Sequence, residues 1–495
     1  MFYASIFFEP ILLLLKKLME KFDLILVGTG FASSFFLRKY LEKSPLDNRV
    51  LVLERGIMCP YTERLKAAGG KQSDIFEKRV KTGDTFINDS EDKVWMFDPN
   101  FGGSSNCWTG CTPRFLPNDF KIKSLYGMGQ DWPISYDEIE PYYTQAEEIM
   151  MIAGPEITPF PRSKPYPLPP QTLSSVDKLL QDKYKELYIS QPTARATVPT
   201  GKRNACCTSA VCGLCPVNSK FTIENTLDYL YADKRVTIRY GSQVHHLLTE
   251  NDTIKGVAYK YNGKDYEVNA EIVALGANAI FNAHILLNSG DTNPKTGKGL
   301  CEQRGTFAYL YFKDIDNVGG SSIITANGYM LYDGDHRKNE AACIIESSNI
   351  PFIRNEPGKW RKIARLKFVF EDLPDDNNKV VLSDNFLKPG VQYAKHTSYV
   401  DKAMKNLKGN IDKIFSFLPV EKIEMDGYFQ KSEYHICSTV RMSDSKEEGV
   451  VDKNLIHHQY RNLFILGSGV YPSITPANPT LTLSALSLMA ADKIF

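Results

Sequence analysis

The stretch Phe22-Asp23-Leu24-Ile25-Leu26-Val27-Gly28-Thr29-Gly30-Phe31-Ala32-Ser33 decides the fold. Its first six residues form an apolar run of strand length, Gly28-Thr29-Gly30 is a tight turn, and Phe31 to Lys43 carries a helical pattern. Arg49 to Leu53 is a second apolar strand that ends in Glu54, so the segment reads as a βαβ unit. The turn matches G-x-G-x-x-[GAS]. Its glycines allow a sharp turn and close approach of backbone to a pyrophosphate, and the helix start presents N–H groups to it. Ser33 is small enough for close helix–strand packing, and Glu54 is placed to accept hydrogen bonds from a ribose. A dinucleotide site is therefore expected on Gly28, Gly30, Phe31, Ala32, Ser33 and Glu54. At this point the choice between FAD and NAD stays open.

The rest of the chain bounds the answer. At 495 residues it is long enough for two connected domains and a large buried cofactor. Lys+Arg 59 against Asp+Glu 58 leaves no field that would favour nucleic acid, so a small neutral partner is expected. The segment Met1 to Leu18 is apolar but lacks a basic start, and Glu9-Pro10 interrupts it. It reads as an uncertain N-terminal extension, with a membrane-surface helix as its functional alternative, and the expected location is the cytoplasm. The fold class is α/β, α+β overall: a Rossmann-type domain built from residues 19–154, 200–291 and 432–495, with a sheet-based substrate domain from 155–199 and 292–431. The prolines between Pro155 and Pro170 mark the first excursion, and Glu271 to Ala277 returns to the nucleotide sheet. Between Thr292 and Lys431 the segments look β-rich, such as Phe307 to Phe312 and Lys379 to Leu382. The acidic patch near Asp372 reads as a solvated loop. The pairs His245-His246 and His457-His458 read as structural.

Several blocks carry a resemblance. Phe101-Gly102-Gly103-Ser104-Ser105-Asn106-Cys107-Trp108-Thr109 offers paired glycines and small hydroxyls that let backbone approach a flat ring system. Asp131-Trp132-Pro133-Ile134-Ser135-Tyr136-Asp137-Glu138 is a helix start with Ser135 as cap. His435-Ile436-Cys437-Ser438-Thr439-Val440-Arg441-Met442 is followed by Asn462-Leu463-Phe464, Tyr471-Pro472 and Ala477-Asn478-Pro479-Thr480-Leu481-Thr482. In this order the blocks resemble the motifs of the glucose-methanol-choline oxidoreductases, over nearly everything after Met19. The last block is similar to the pyranose oxidase, gluconate dehydrogenase and glucose dehydrogenase branch.

The resemblance implies FAD, with further contacts from Arg55, Gly102, Gly103, Ser104, Asn106, Cys107, Trp108, Thr109, Gly276, Gly467, Pro479 and Thr480. It implies oxidation of an alcohol group of a sugar, glycoside or polyol, by hydride transfer to the flavin with His435 as base. Asn478 would donate a hydrogen bond to the developing alkoxide. In pyranose oxidase a histidine near position 107 bonds covalently to the flavin. Cys107 stands there here, so a non-covalent flavin is expected, with a cysteinyl bond as the alternative. The electron acceptor stays open among quinone, carrier protein and oxygen, as do a partner subunit and a catalytically silent flavin-binding role.

Cys206, Cys207, Cys212 and Cys215 are crowded into ten residues, next to Pro216. Iron–sulfur cluster, zinc site, disulfides and packed thiols are all compatible with the spacing. A related flavin glucose dehydrogenase holds a three-iron cluster on a similar run. Packed or partly bridged thiols are the expected outcome, with a cluster on these four residues as the alternative.

Overall fold

The computed structural model describes residues 21–90 and 92–495. The expected extension Met1 to Leu18 lies outside the described residues. Among the described residues no helix is long and apolar enough to cross a membrane.

The first strand, Lys21–Val27, pairs in parallel with Val50–Leu53 on one side and with Lys264–Leu275 on the other. Val236–Arg239 extends this sheet beyond Val50–Leu53, again in parallel. On its other flank Lys264–Leu275 leads through Thr253–Tyr261 to Gln243–Glu250 by antiparallel pairing, and Leu463–Ile465 joins Lys264–Leu275 in parallel. Leu24 to Val27, Val50–Leu53 and Val273 to Leu275, at the centre of the sheet, are apolar at every position because both of their faces are covered. Helix Phe31–Lys43 packs against the C-terminal helix Thr480–Ile494, and Phe36 meets Phe464 and Phe495 at ring distances of 5.1 and 6.1 Å. Phe35 and Phe36 are fully buried, each contributing about 1.5–3 kcal/mol. This packing fixes where the turn at Gly28–Gly30 points.

A second, antiparallel sheet runs in the order Val420–Phe429, Arg304–Phe312, Ile363–Phe370, Cys343–Ser348, Ile324–Leu331 and Tyr188–Ser190. Its strands alternate. Ala364, Leu366, Phe368 and Phe370 share an apolar face with Leu310, Phe312 and Ile345. That face is covered by helix Ser398–Phe415 through Tyr399, Ala403, Leu407 and Ile411. Arg365, Lys367 and Val369 occupy the opposite face.

The region from Thr292 to Lys431 is strand-rich, as expected, and also holds the 18-residue helix Ser398–Phe415, whose buried residues at four-residue spacing form a stripe over the sheet. One sequence expectation needs correction. The acidic patch near Asp372 is not a solvated loop. Glu371 is buried and paired with Arg337, and Asp372 is buried against His396 and Thr397. Buried carboxylates are stable here because each has a cationic or hydroxyl partner. The helix start at Ser135 carries the expected cap, its Oγ accepting from the Glu138 N–H while the Glu138 carboxylate accepts from the Ser135 N–H.

Candidate functional site

A cavity of about 450 Å³ opens between the two sheets. Its first end is the βαβ turn. Gly28 has φ +88°, and a side chain there would come within 2.7 Å of the Gly276 carbonyl, so only glycine fits. Helix Phe31–Lys43 starts at Gly30 with no side-chain cap, which leaves its first N–H groups available to an anion. Glu54 lines the cavity, and its carboxylate accepts from Thr29 Oγ1 at 2.6 Å and from the Gly56 N–H at 2.8 Å. Burial raises its pKa, while these two bonds oppose the rise. Thr29 in turn accepts from the Gly102 N–H at 3.0 Å, so one hydroxyl couples the turn to the glycine loop. The Arg55 guanidinium stacks 3.8 Å over Phe281, and burial takes it down to about 10.

The loop from Phe101 to Thr109 forms the cavity wall. A side chain on Gly103, whose φ is +53°, would lie 3.0 Å from the Gly30 Cα, so loop and turn are in direct contact. Trp108 donates from Nε1 to the Phe221 carbonyl at 2.9 Å and packs edge-on to Phe31 at 4.6 Å. Behind it, buried Lys220 donates to the carbonyls of Trp108 and Gly213, both at 2.7 Å, and of Asn106 at 3.2 Å. Burial lowers its ammonium to about 7. Cys107 is exposed and lines the cavity, where the desolvation imposed by the surrounding protein pushes its thiol up to about 11.

Opposite stands His435, on a turn whose neighbours Tyr434 and Ser438 have φ of 65° and 72°, strained values for non-glycine residues. Buried Glu302 holds this turn. Its Oε1 accepts from Ser432 Oγ at 2.7 Å and from the N–H groups of Glu433 and His435 at 2.8 and 3.1 Å, while Oε2 pairs with Lys93. Gln303 fixes the imidazole. Its Nε2 donates to the carbonyls of Thr475 at 2.5 Å and Ala477 at 3.0 Å, so the amide oxygen faces His435 Nδ1. Nδ1 must then carry the proton, and Nε2 is left as a lone pair. Burial takes the imidazole down to about 4, against the opposing charge of Glu302.

The second sheet closes the far end. Glu346, Lys367 and Arg365 line the cavity from adjacent strands, Glu346 directly opposite Lys367, and Glu433 joins them from the histidine turn. Lys367 donates to Glu433 Oε2. Burial would lower the Lys367 ammonium, but the Glu433 carboxylate holds it above its ordinary value. The Asn478 amide hydrogen-bonds to Glu346, whose pKa burial raises.

Residues 391–487 match the profile of the family described as GMC oxidoreductase. That segment is a GMC oxidoreductase C-terminal domain. The chain is 29% identical to the fructose dehydrogenase large subunit of Gluconobacter japonicus, over 79% of this chain and 80% of that one. It is 24% identical to the 2-methyl-1,2-propanediol dehydrogenase of Mycolicibacterium austroafricanum, over 80% of each. Among solved structures, pyridoxine 4-oxidase from Mesorbium loti matches with a TM-score of 0.66 at 17% identity, over 95% of this chain and 99% of that one. An FAD-dependent oxidoreductase from Chaetomium thermophilum matches with a TM-score of 0.67 at 14% identity, over 96% and 99%. These two likenesses establish the fold.

Most residues singled out from the sequence line one cavity: Gly28, Gly30, Phe31, Ala32, Glu54, Arg55, Gly103, Ser104, Cys107, Trp108, Thr109, Gly276, Gly467, Pro479 and Thr480, with His435 and Asn478. Three stand behind the wall. Ser33 is fully buried with its Oγ 3.4 Å from the Val27 carbonyl, Gly102 donates to Thr29, and Asn106 donates to Asp98 and to the Phe101 carbonyl. The cysteine run does not converge. Cys212 Sγ lies 2.7 Å from Ser322 Oγ, Cys215 Sγ accepts from the Ser219 N–H, and all ten cysteines are free. Among the described residues no three His, Cys, Asp or Glu side chains are placed to hold a metal ion. Sequence reasoning missed Thr29, Gln303, Glu302, Glu346, Lys367 and Glu433. Only the alternation Arg365-Leu366-Lys367-Phe368 was visible, and it reads equally well as a solvated strand face.

Proposed function

We propose that this chain binds FAD non-covalently and oxidises an alcohol carbon of a sugar, glycoside or polyol to the carbonyl. The observation that carries this reading is the shared cavity: a dinucleotide turn and a glycine loop on one side, His435 and Asn478 on the other. The uncapped helix start, Glu54 and the backbone of residues 103–109 fit the cofactor's pyrophosphate, ribose and ring in turn. When bound, FAD supplies the acceptor for the hydride.

The chain's own residues do the rest. His435 takes the hydroxyl proton on Nε2, because Gln303 commits Nδ1 to carrying a hydrogen. Burial keeps the imidazole neutral and ready to accept it. The Asn478 N–H not engaged with Glu346 donates to the developing alkoxide. Cys107, held as a neutral thiol, is a poor nucleophile toward a flavin, which supports non-covalent binding. Ten free cysteines support a reducing compartment such as the cytoplasm. The relative named a large subunit makes a partner subunit part of the proposal.

Purified protein should contain FAD, and its band at about 450 nm should bleach anaerobically with one or more members of a panel of sugars, glycosides and polyols. Bound FAD that none of them bleaches would favour the silent flavin-binding alternative and overturn the proposal.

A further inference from the structure

The cavity end formed by the second sheet contains buried oxygen acceptors that the protein itself leaves without donors. Glu346 and Glu433 are 3% and 5% exposed, both face the cavity, and the Oε1 atom of each has no hydrogen-bond partner. The Oδ1 atom of Asn478, on the same cavity, is also without a partner. An unpaired buried polar atom is costly, so the protein gains when a ligand supplies the missing hydrogens. Lys367 spends its bond on Glu433 Oε2, which orients that carboxylate and neutralises it. Gly305 makes the room: a side chain there would fall 1.9 Å from Glu433 Oε1.

We propose that Glu346, Glu433 and Lys367 form a subsite that grips neighbouring hydroxyl groups of an uncharged, polyhydroxylated donor, and that it discriminates against aldonate anions and against monohydric alcohols. The inference rests on the alcohol-oxidising reading of this cavity. Hydroxyls fit because each brings a hydrogen for a carboxylate or amide oxygen and an acceptor for Lys367. A ligand carboxylate would set its oxygens against those of Glu346 and Glu433, at a cost in a site screened from water, while Lys367 is engaged by Glu433 and the Arg365 guanidinium lies 3.4 Å over the Phe307 ring. A monohydric alcohol leaves the acceptors empty once its single hydroxyl is engaged by His435. Discrimination of this kind is strong because the penalty falls on buried groups left unpaired.

Binding can be measured apart from turnover. Calorimetric titration of the FAD-loaded protein, reduced with dithionite so that no oxidation occurs, would use D-fructose, myo-inositol, D-gluconate and cyclohexanol. At least one of the neutral polyols should bind tenfold or more tighter than both gluconate and cyclohexanol. Glu346→Gln and Glu433→Gln should each weaken that polyol by about tenfold, the size expected for a hydrogen bond to a charged group. Two variants are used so that poor folding of one leaves the other decisive. Gluconate or cyclohexanol binding as tightly as the polyols, no binding by any of the four, or unchanged affinity in both variants would overturn the subsite. Polyols that bind as described while no donor bleaches the oxidised protein would instead overturn the proposed function and leave the subsite standing.

Discussion

The sheet around Lys21–Val27 buries both faces, whereas the sheet around Ile363–Phe370 buries one face under its own helix and turns a charged face to the cavity. In the proposed reading the first sheet holds a turn whose backbone, rather than side chains, would meet the cofactor, so apolar packing and glycine geometry suffice. The second sheet supplies side chains, and its cavity face carries Arg365, Lys367 and Glu346 where a solvated sheet would carry the same residue types facing water. Cofactor retention should therefore depend on the first sheet, donor selection on the second.

The largest expected effect breaks the first half of that comparison. Gly28→Val places a branched side chain where a Cβ already meets the Gly276 carbonyl at 2.7 Å, and the purified protein should contain no FAD by absorbance. Stoichiometric flavin in that variant would remove the turn from the cofactor site. Gln303→Leu should keep its flavin but slow flavin reduction by about tenfold to a hundredfold, in kcat rather than KM, a fraction of what a general base contributes. The change removes the acceptor that holds the tautomer of His435, so an unaltered rate would leave the imidazole oriented by something else. Leu366→Ala, on the helix-covered face of the strand that carries Lys367, should cost about 2–5 kcal/mol in denaturant unfolding. Its order of preference among donors should match the parent's, since its side chain points away from the cavity. An altered preference would blur the separation between the two faces.

The smallest effect concerns pH. Because burial lowers His435 to about 4, the base is already unprotonated across the ordinary range of a solvated imidazole. The rate of flavin reduction should stay level as pH falls through 6.5 and decline only toward about 4. A decline centred at the ordinary imidazole value would show His435 to be solvated in the working enzyme.

What was legible in the sequence follows from the same contrast. Apolar runs, the spacing of Gly28 and Gly30 and the placement of Glu54 are local signals, and the structure confirms the strand, turn and helix they imply. His435 and Asn478 were found only through a resemblance, because an isolated histidine or asparagine carries no pattern of its own. Lys367 and Glu346 were missed because strand alternation tells which residues share a face but not what that face meets. Glu302 and Gln303 were missed for a related reason. They act on residues more than 130 positions away in sequence, through bonds to backbone and ring atoms that only folding brings together. The helix Ser398–Phe415 was readable from Tyr399, Ala403, Leu407 and Ile411, but its many lysines and the surrounding strands masked the stripe.

The central claim is that the imidazole of His435 takes the substrate's proton across the cavity from the glycine loop. It is tested most directly by anaerobic stopped-flow reduction of FAD-loaded His435→Ala alongside the parent, with whichever sugar or polyol bleaches the parent. The account predicts equal flavin content and a rate lower by about a hundredfold or more, within the range for loss of a general base. A variant that retains its flavin and is reduced as fast as the parent would contradict it.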